Sequence, residues 1–288
     1  MIPQKLLVIV VVYNGMPWLE RCLGSVSGTR SELLSAVDLF VVDNGSTDGS
    51  ADFVAARFPE AMLVRSGQNL GFGRANNLGL QHAIENGYDA VYLLNQDAWV
   101  LPGTLEEMVR LAAAAPVFGI LSPLQCQADG TTLDRRFEKW FRKAGGLSAS
   151  EPLRSLPFIM AAHWLITRPC LEKVGLFAPI FPLYGEDVNY CDRARYHGFK
   201  IGVALSARAV HDRAARPVDN AQEIRLNCFA GNLARLCDIN RPLWERLAYV
   251  TLFTGVKTLK YRSFKPWHYW LELVRMLPGI RRTRKGTC

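Results

Sequence analysis

The sequence predicts an α/β fold in which helices cover both faces of a mostly parallel sheet. The first observation is that apolar, β-branched segments recur through the first hundred residues, separated by segments with helical periodicity. The second is that each apolar segment ends in polar, turn-forming residues. Strands that alternate with helices form βαβ units, whose strands lie parallel in one sheet. No internal repeat or low-complexity linker divides the chain before about Arg241.

The four strands predicted in the first half are continuous apolar runs, as is typical of strands buried on both faces. They are Lys5–Val12, Val37–Val42, Ala61–Arg65 and Ala90–Leu94. Pro17 suits the first turn of the helix that follows the first strand, and Ser46, Thr47 and Asp48 can cap the second helix. The helices predicted in this half are Pro17–Val26, Gly49–Phe58, Gly73–Asn86 and Thr104–Ala115.

The second half of the sequence is less regular. The segment Leu121–Leu156 is polar and rich in turn formers, so we expect few regular elements there. Beyond it the periodicity predicts three strands and three helices. The strands are Phe158–Thr167, Lys200–Leu205 and Ala207–Val210, and the helices are Arg168–Val174, Glu186–His197 and Gln222–Asp238.

The positive charge of the chain is concentrated at its end. Of a net charge of +8, residues from Arg241 onward contribute +9, with eleven basic and two acidic residues, which leaves −1 for residues 1–240. We therefore predict a main domain of residues 1–240 and a basic helical extension of residues 241–288. An apolar face on Pro242–Val256 and another on Pro266–Leu277 accompany these charges. Such helices are typical of a membrane surface, but packing on the domain or on a second subunit, as a homodimer, is the alternative.

Composition excludes several classes of protein. The 49% of hydrophobic and 21% of charged residues are ordinary for a globular protein. The seven cysteines contain no C-x-x-C pair, which argues against a disulfide framework or a zinc cage. The apolar start is too short for a signal peptide or a membrane span, so we expect a cytoplasmic protein. The near-neutral charge of residues 1–240 argues against nucleic-acid binding.

Polar residues follow every predicted strand of the first half. Ligands of open parallel sheets bind at the carboxyl ends of the strands, so four such loops indicate a polar ligand site, although each alone could be a simple turn. The loops are Tyr13-Asn14, Asp43-Asn-Gly-Ser46, Gln68-Asn69 and Asn95-Gln-Asp97. Gly71-Phe-Gly-Arg-Ala-Asn76 resembles a dinucleotide-binding fingerprint, but it has Asn76 in place of the third glycine and does not follow the first strand. We therefore interpret its glycines as the residues of a tight loop.

Two acidic motifs are the candidates for chemistry. Asn95 and Asp97 can present oxygens to one hard cation such as Mg²⁺ or Mn²⁺, which would share its other positions with a diphosphate; a helix cap is the alternative for Asp97. Glu186 and Asp187 begin a helix directly after an aromatic, proline-rich segment. A shielded carboxylate there can act as a general base, although an exposed acidic helix start is the simpler interpretation. His211 follows a predicted strand, where a lone histidine is more often structural.

Taken in order, the motifs resemble those of the inverting nucleotide-sugar transferases of glycosyltransferase family 2, which have the GT-A fold. The resemblance covers about residues 5–212 and is closest to bacterial rhamnosyltransferase-type enzymes of surface-polysaccharide assembly. The motifs are Val11-Val-Tyr-Asn14, Val41-Val-Asp-Asn-Gly-Ser-Thr-Asp-Gly-Ser50, Asn69-Leu-Gly-Phe-Gly-Arg-Ala-Asn-Asn-Leu-Gly79, Leu94-Asn-Gln-Asp97, Gly185-Glu-Asp-Val-Asn-Tyr-Cys-Asp-Arg193 and Ala209-Val-His211.

The resemblance implies a role for each motif. Asp97 would bind the metal on the diphosphate, and His211 would complete the surroundings of the metal or of the diphosphate. Asp187 would be the general base, and Glu186 would orient the acceptor or the loop. The nucleotide-binding residues it implies, with Asp43 on the imide of the base, are Tyr13, Asn14, Asp43, Asn69, Gly71, Asn76 and Asn95. Many members of the family have two aspartates at the metal motif, so Asn95 predicts weaker metal binding.

The implied activity is sugar transfer with inversion, from a dTDP- or UDP-sugar to a lipid-linked glycan at the inner face of the cell membrane. The metal would neutralise the leaving diphosphate while Asp187 activates the incoming hydroxyl group. Two alternatives remain at this point: a nucleotidyltransferase, and a non-catalytic protein of the same fold that binds a sugar nucleotide or a glycan. The first does not explain Glu186, Asp187 and His211, and the second would not need to retain them.

Overall fold

The computed structural model describes residues 4–29, 31–143, 152–213 and 224–286. Its strands are β1 (Gln4–Val12), β2 (Leu34–Asp43), β3 (Met62–Arg65), β4 (Ala90–Asn95), β5 (Ala98–Val100), β6 (Phe118–Cys126), β7 (Leu153–Leu156), β8 (His163–Thr167) and β9 (Lys200–His211). Its helices are α1 (Met16–Gly24), α2 (Ser50–Arg57), α3 (Phe72–Glu85), α4 (Thr104–Ala114), α5 (Arg135–Lys143), α6 (Arg168–Val174), α7 (Glu186–Tyr196), α8 (Gly231–Cys237), α9 (Leu243–Tyr261), α10 (Lys265–Arg275) and α11 (Leu277–Lys285). A π-helical turn, Leu226–Ala230, leads into α8.

The strands form one mixed sheet in the order β3-β2-β1-β4-β8-β6-β9-β5, with β7 paired to β9. The first four strands of this order are parallel, as the alternating pattern predicts. Strand β8 lies antiparallel between β4 and β6, and β9 is parallel to β6 but antiparallel to β5 and β7. The parallel half therefore presents the carboxyl ends of β1, β2 and β4 at one edge, where the polar loops meet.

Successive side chains of β1 enter two different cores, one on each face of the sheet. Leu6, Val8 and Val10 belong to one cluster, while Leu7 and Ile9 belong to the other. Because alternate residues of a strand point to opposite faces, a continuous apolar run is the sequence signature of such a strand. This confirms the prediction that helices cover both faces of the sheet.

The irregular middle of the chain was predicted wrongly. Phe118–Cys126 is a buried strand, and α5 and β7 also lie between residues 121 and 156; residues 144–151 of that segment lie outside the described part of the chain. In α5, Phe137 and Phe141 are buried one helical turn apart, but the charged residues around them obscure this spacing. The two strands predicted between residues 200 and 210 are one continuous strand, and the strand predicted from Phe158 begins at His163.

The C-terminal helices pack on the rest of the protein through a third core. Phe229, Leu233 and Cys237 contribute to it from the π turn and α8, and Val250 and Leu273 contribute from α9 and α10. The indole of Trp270 in α10 also donates a hydrogen bond to Thr251 Oγ1 of α9, at 3.0 Å. The first residues of the helix predicted over Gln222–Asp238 lie outside the described residues. The sequence predicted two tail helices, and the structure has a third one, α11.

Candidate active site

The loop after β1 is tied to the corner between β4 and β5. Tyr13 N donates a 2.7 Å hydrogen bond to Gln96 Oε1, and Gln96 Nε2 donates a 3.1 Å hydrogen bond back to the Tyr13 carbonyl. Asn95, which ends β4, lies opposite Val11 of β1 in the parallel register. The structure thus brings Tyr13 and the Asn95–Asp97 motif together, and Gln96 is a positioning residue that the sequence did not single out.

The loop after β1 is also held against the loop after β2. Asn14 has a left-handed backbone, with φ of 50°, a conformation that asparagine tolerates better than most residues. Its N–H donates to Ser46 Oγ at 3.0 Å, and its side-chain oxygen accepts the Thr47 N–H at 2.9 Å. Asn14 is therefore used to join two loops of the predicted base pocket.

Asp43 ends β2 and is almost fully buried at the same edge. Its Oδ1 accepts the Ser46 N–H at 3.3 Å, which keeps the carboxylate beside the loop. The side chain of Asn69 joins this region, because its Oδ1 accepts hydrogen bonds from Asn44 Nδ2 at 3.1 Å and from the Gly71 N–H at 2.9 Å. Asp43, Asn69 and Gly71 thus lie in one connected set of loops.

Asn76 is placed differently from the other predicted nucleotide ligands. It is buried inside α3, and its side-chain nitrogen donates a 3.0 Å hydrogen bond to the Phe72 carbonyl one turn earlier. This contact serves the helix itself. The predicted contact of Asn76 with a nucleotide stays a prediction, and the hydrogen bonds among the loops do not support it.

Glycines let α3 approach the segment that precedes α7. A Cβ at Gly71, whose φ is 78°, would lie 2.6 Å from the Pro182 carbonyl oxygen, so only glycine fits there without movement. A Cβ at Gly73 would lie 3.1 Å from Phe177 Cβ and 3.6 Å from Glu186 Cβ. The nucleotide loops and the acidic start of α7 are therefore neighbours.

Asp97 and His211 meet because of the strand register. Ala98 of β5 pairs with His211 of β9, so the residue before Ala98 lies beside the histidine. His211 Nε2 and Asp97 Oδ1 are 3.4 Å apart, and both side chains are largely buried. His211 Nδ1 is buried and has no hydrogen-bond partner among the described residues.

This pair fits a divalent cation that takes its other ligands from a substrate. An octahedral ion holds adjacent ligands about 3 Å apart, close to the observed separation of the two atoms. Within the described residues no cluster of three or more histidine, cysteine or acidic side chains could hold a metal by itself. The chain therefore offers two ligands, which suits an ion shared with a diphosphate better than a dedicated metal cage.

Two further residues support the site and were missed in the sequence. His163 is fully buried between Tyr92 Oη, 3.0 Å from its Nδ1, and the Val210 carbonyl, 2.9 Å from its Nε2, so it fixes the strand end that carries His211. Burial lowers the pKa of His163 to about 3, so this imidazole is neutral. Arg213 lies two residues beyond His211, with Nε 3.5 Å from Asp134 Oδ2 and Nη2 3.2 Å from the Met160 sulfur.

Glu186 and Asp187 occupy different environments at the start of α7. Burial, and then the charge of Asp187, raise the pKa of Glu186 to about 8, and Glu186 Oε2 has no hydrogen-bond partner among the described residues. Burial raises the pKa of Asp187 to about 6, against hydrogen bonds from the N–H groups of Val188 and Ala161. At neutral pH the pair therefore consists of one protonated acid and one carboxylate, which is the arrangement expected of an acid beside a base.

The fold and the site together define a class of protein. Polar loops at the carboxyl edge of a parallel sheet, an Asp–His pair that fits a cation and a shielded carboxylate suit an enzyme that transfers a group from a phosphorylated donor. Two solved structures have a similar fold. The chain superposes on the mannosyltransferase PcManGT from Pyrobaculum calidifontis, in complex with GDP-Man and Mn²⁺, with a TM-score of 0.56, 20% identity and coverage of 99% of this chain and 74% of that one. It superposes on residues 1–349 of S. aureus TarS in complex with UDP with a TM-score of 0.57, 16% identity and coverage of 86% and 70%. It spans 41% of a longer TarS chain.

The family model "Glycosyl transferase family 2" matches residues 7–175, and the chain belongs to this family. A curated relative is the N-acetylglucosaminyl-diphospho-decaprenol L-rhamnosyltransferase of Mycobacterium tuberculosis, 28% identical over 235 residues, which cover 72% of this chain and 76% of the relative. The protein is thus a glycosyltransferase with a GT-A-like fold, as the sequence motifs predicted.

Proposed function

We propose that the protein is an inverting glycosyltransferase that moves a sugar from a dTDP- or UDP-sugar to a hydroxyl group of a lipid-linked glycan. The observation that carries this proposal is the carboxylate of Asp187 beside the protonated Glu186, near the end of β4: Asp187 accepts the N–H of Ala161, and the carbonyl of the next residue, Ala162, accepts the N–H of Asn95 at 3.0 Å. Rhamnose is the first candidate for the sugar, because the mycobacterial relative is named as an L-rhamnosyltransferase that acts on N-acetylglucosaminyl-diphospho-decaprenol.

The loops after β1 and β2 would bind the nucleotide. Asp43 is buried at the loop edge, where its free lone pairs can accept the imide N–H of uracil or thymine. Tyr13 is about half-exposed beside it and would cover the base, and Asn69 and Gly71 would close the pocket. Asn95 would face the ribose and the sugar. The same pocket suits uridine and deoxythymidine, since both bases carry this imide.

Asp97 and His211 would hold a Mg²⁺ or Mn²⁺ ion, which when bound supplies positive charge to the departing diphosphate. Arg213 adds a fixed positive charge on the same side, because Asp97 and Arg213 interact electrostatically. Asn95 supplies one negative charge fewer than an aspartate would, so the chain should bind the ion weakly and depend more on this arginine.

Asp187 performs the chemical step at the acceptor. Its carboxylate accepts the proton of the acceptor hydroxyl group while the hydroxyl oxygen forms a bond to the anomeric carbon. The bond from that carbon to the diphosphate oxygen breaks on the opposite face, and its electron pair leaves with the nucleoside diphosphate. A single displacement inverts the anomeric centre and needs no side-chain nucleophile. Glu186, being protonated, can donate a hydrogen bond that orients the acceptor.

A lipid-linked acceptor would place the protein at the cytoplasmic face of a membrane, and we propose peripheral association there through residues 241–288. None of the helices in the described part of the chain is long and apolar enough to cross a membrane. The nucleotidyltransferase alternative is less suitable, because it gives no role to the acid–base pair at the start of α7.

The test of this proposal is Asp187→Asn, with Glu186→Gln as the matched control beside it. Asp187→Asn keeps the size of the side chain but cannot accept a proton, so transfer should fall by about 10²–10⁴-fold. Its affinity for UDP or dTDP should stay unchanged, because the substitution keeps the size of the side chain and Val188 and Ala161, which donate to Asp187, are not assigned to the nucleotide. Glu186→Gln keeps a hydrogen-bond donor and should lose much less activity.

The measurements are initial transfer rates and the calorimetric affinity for each nucleotide, after a thermal-shift panel of dTDP- and UDP-sugars with and without Mn²⁺ has identified the donor. A donor at a hundred times its dissociation constant stabilises the fold by about 2.7 kcal/mol, which such a panel resolves. Unchanged transfer by Asp187→Asn would show that the pair is only an acidic helix start. Loss with Glu186→Gln alone would assign the base to the other carboxylate.

A further inference from the structure

Helix α9 is apolar on the side that faces away from the rest of the protein. Its inner side carries Val250 and Thr254, which are 1% and 2% exposed. Leu252 and Leu259 are 71% and 80% exposed, and they lie about 180–200° around the helix from Val250. A surface helix normally has one apolar stripe, directed to the core, so the second stripe of α9 needs another explanation.

A further exposed apolar side chain follows the end of α9. Phe264, in the turn between α9 and α10, is 81% exposed, which is more than any other large hydrophobic side chain of the described residues. We use the term outer apolar face for the whole set. It consists of Trp244, Leu252, Val256, Leu259 and Phe264. Large exposed apolar patches of this kind mark surfaces that bind a partner or a membrane.

Basic residues border the outer apolar face at its C-terminal end. Lys260, Arg262 and Lys265 are exposed there, within the same helix end and turn as Leu259 and Phe264. Other basic residues of the tail are used inside the protein: Arg246 forms an ion pair with Asp238, and Arg284 donates to the carbonyls of Leu236 and Arg241. The charges that remain available for a partner therefore include this cluster beside the apolar face.

This combination suits an anionic lipid surface better than a second copy of the chain. In a two-fold symmetric dimer the same patch lies on both subunits, so a contact through this end would bring two copies of the basic cluster together. Those like charges would repel. Lipid phosphates instead supply the opposite charge at the level where exposed leucine and phenylalanine side chains enter the acyl region.

We propose that the outer apolar face of α9 and its following turn insert into the interfacial layer of an anionic bilayer, with Lys260, Arg262 and Lys265 on the lipid phosphates. This inference rests on the proposed membrane association and specifies it. The inner faces of α9 and α10 stay packed on the protein, so α10, with Trp270 turned toward α9, does not lie in the bilayer as a free amphipathic helix.

The test uses the full chain and sedimentation with two kinds of vesicle, phosphatidylcholine alone and phosphatidylcholine mixed with phosphatidylglycerol. Leu259→Gln should lower binding to the mixed vesicles by about tenfold, because a buried leucine contributes about 1.5 kcal/mol or more. Lys260→Gln, Arg262→Gln and Lys265→Gln should each lower it by about fivefold, and this loss should disappear at high salt. Leu78→Gln, an exposed leucine of α3, is the matched control and should change nothing.

Nucleotide affinity and size-exclusion chromatography distinguish membrane binding from loss of function and from dimerisation. Nucleotide affinity should be the same in every variant, because none of the substituted residues belongs to the loops that bind the donor. A protein that fails as a transferase can therefore still pass this test. Absence of parent binding to the mixed vesicles, or equal binding by Leu259→Gln and Leu78→Gln, overturns the proposal. Size-exclusion chromatography that shows a dimer of the parent, and a monomer of Leu259→Gln, would assign the face to a second copy instead.

Discussion

At the scale of single residues, the start of α7 shows how position along a helix separates two neighbouring carboxylates. Glu186 is 5% exposed, and its side chain lies against the Gly73 region of α3. Asp187 is half-buried, and its carboxylate accepts hydrogen bonds from backbone N–H groups. Burial disfavours the charged form of both, but hydrogen bonds to the carboxylate offset this effect at Asp187. The acidic pair could be read from the sequence. The division of roles depends on burial, which no local pattern encodes.

This difference predicts a pH profile with two limbs. Transfer should rise through a pKa of about 6 as Asp187 ionises, and fall above about 8 as Glu186 ionises and places a second charge beside it. In Glu186→Gln the rise near pH 6 should remain and the fall near pH 8 should be lost. The measurement is kcat/KM against pH for the parent and the variant.

Stability should follow the same titration. The folded-state pKa of Glu186, about 8, lies above its ordinary value of 4.5, so the folded protein binds the extra proton between these values and stability declines as pH rises through this window. Glu186→Gln lacks this loss and should unfold at a higher temperature than the parent at pH 9, relative to the same comparison at pH 4. An equal difference at both pH values would contradict the raised pKa.

At the scale of secondary structure, the elements that build the site differ in how much of them the sequence predicts. The strands β1, β2 and β4 are long apolar runs, and their boundaries and loops were predicted within a few residues. Strand β5 has only three residues, too few for any periodicity, yet its pairing with β9 is what sets Asp97 beside His211. The Asn95–Asp97 motif and His211 could therefore be picked out in the sequence, but the strand pairing that brings Asp97 and His211 together could not be predicted.

Gly185, which precedes α7, should be more sensitive to substitution than its counterpart at α4. Gly185 and Gly103 both precede a helix with positive φ, 94° and 78°, so alanine costs about 1–2 kcal/mol at either. A Cβ at Gly185 would also lie 3.0 Å from the Ala230 carbonyl oxygen, whereas a Cβ at Gly103 meets nothing within 4 Å. Gly185→Ala should therefore shift the start of α7 and reduce kcat, while Gly103→Ala reduces stability alone.

Thermal unfolding and transfer rates of the two alanine variants measure this difference. Nucleotide affinity should remain normal in both, since neither substitution alters a residue of the loops after β1 and β2. If both variants lose the same amount of activity, the position of α7 is not what limits the chemistry, and the contact with Ala230 has no functional consequence.

At the scale of the whole molecule, charge and packing divide the chain at different places. The sequence shows a nearly neutral part followed by a basic one, and it suggested a boundary near residue 240. The structure shows a hydrophobic core that crosses this boundary, because α8 and the π turn pack against α9, α10 and α11. Net charge is a property that the sequence gives directly, but which face of an amphipathic helix meets the protein depends on long-range packing. Hence the sequence alone could not decide between membrane and protein contact for these helices, whereas the structure shows that α9 has one packed face and one exposed apolar face.

Removal of residues 241–288 tests which of these divisions governs folding. Val250, Leu273 and Ile280 are buried in the third core, and each contributes about 1.5–3 kcal/mol on burial, against a total stability of about 5–15 kcal/mol for a typical protein. The truncation would also expose Phe229, Leu233 and Leu236. We therefore expect the shortened chain to be aggregated or to unfold at a much lower temperature, with nucleotide binding reduced accordingly. Leu259→Gln, which alters only the outer face, should unfold like the parent and serves as the control. A shortened chain that unfolds cooperatively at the parental temperature and binds nucleotide normally would show that the tail is a separable domain, and that the basic composition marks the true boundary.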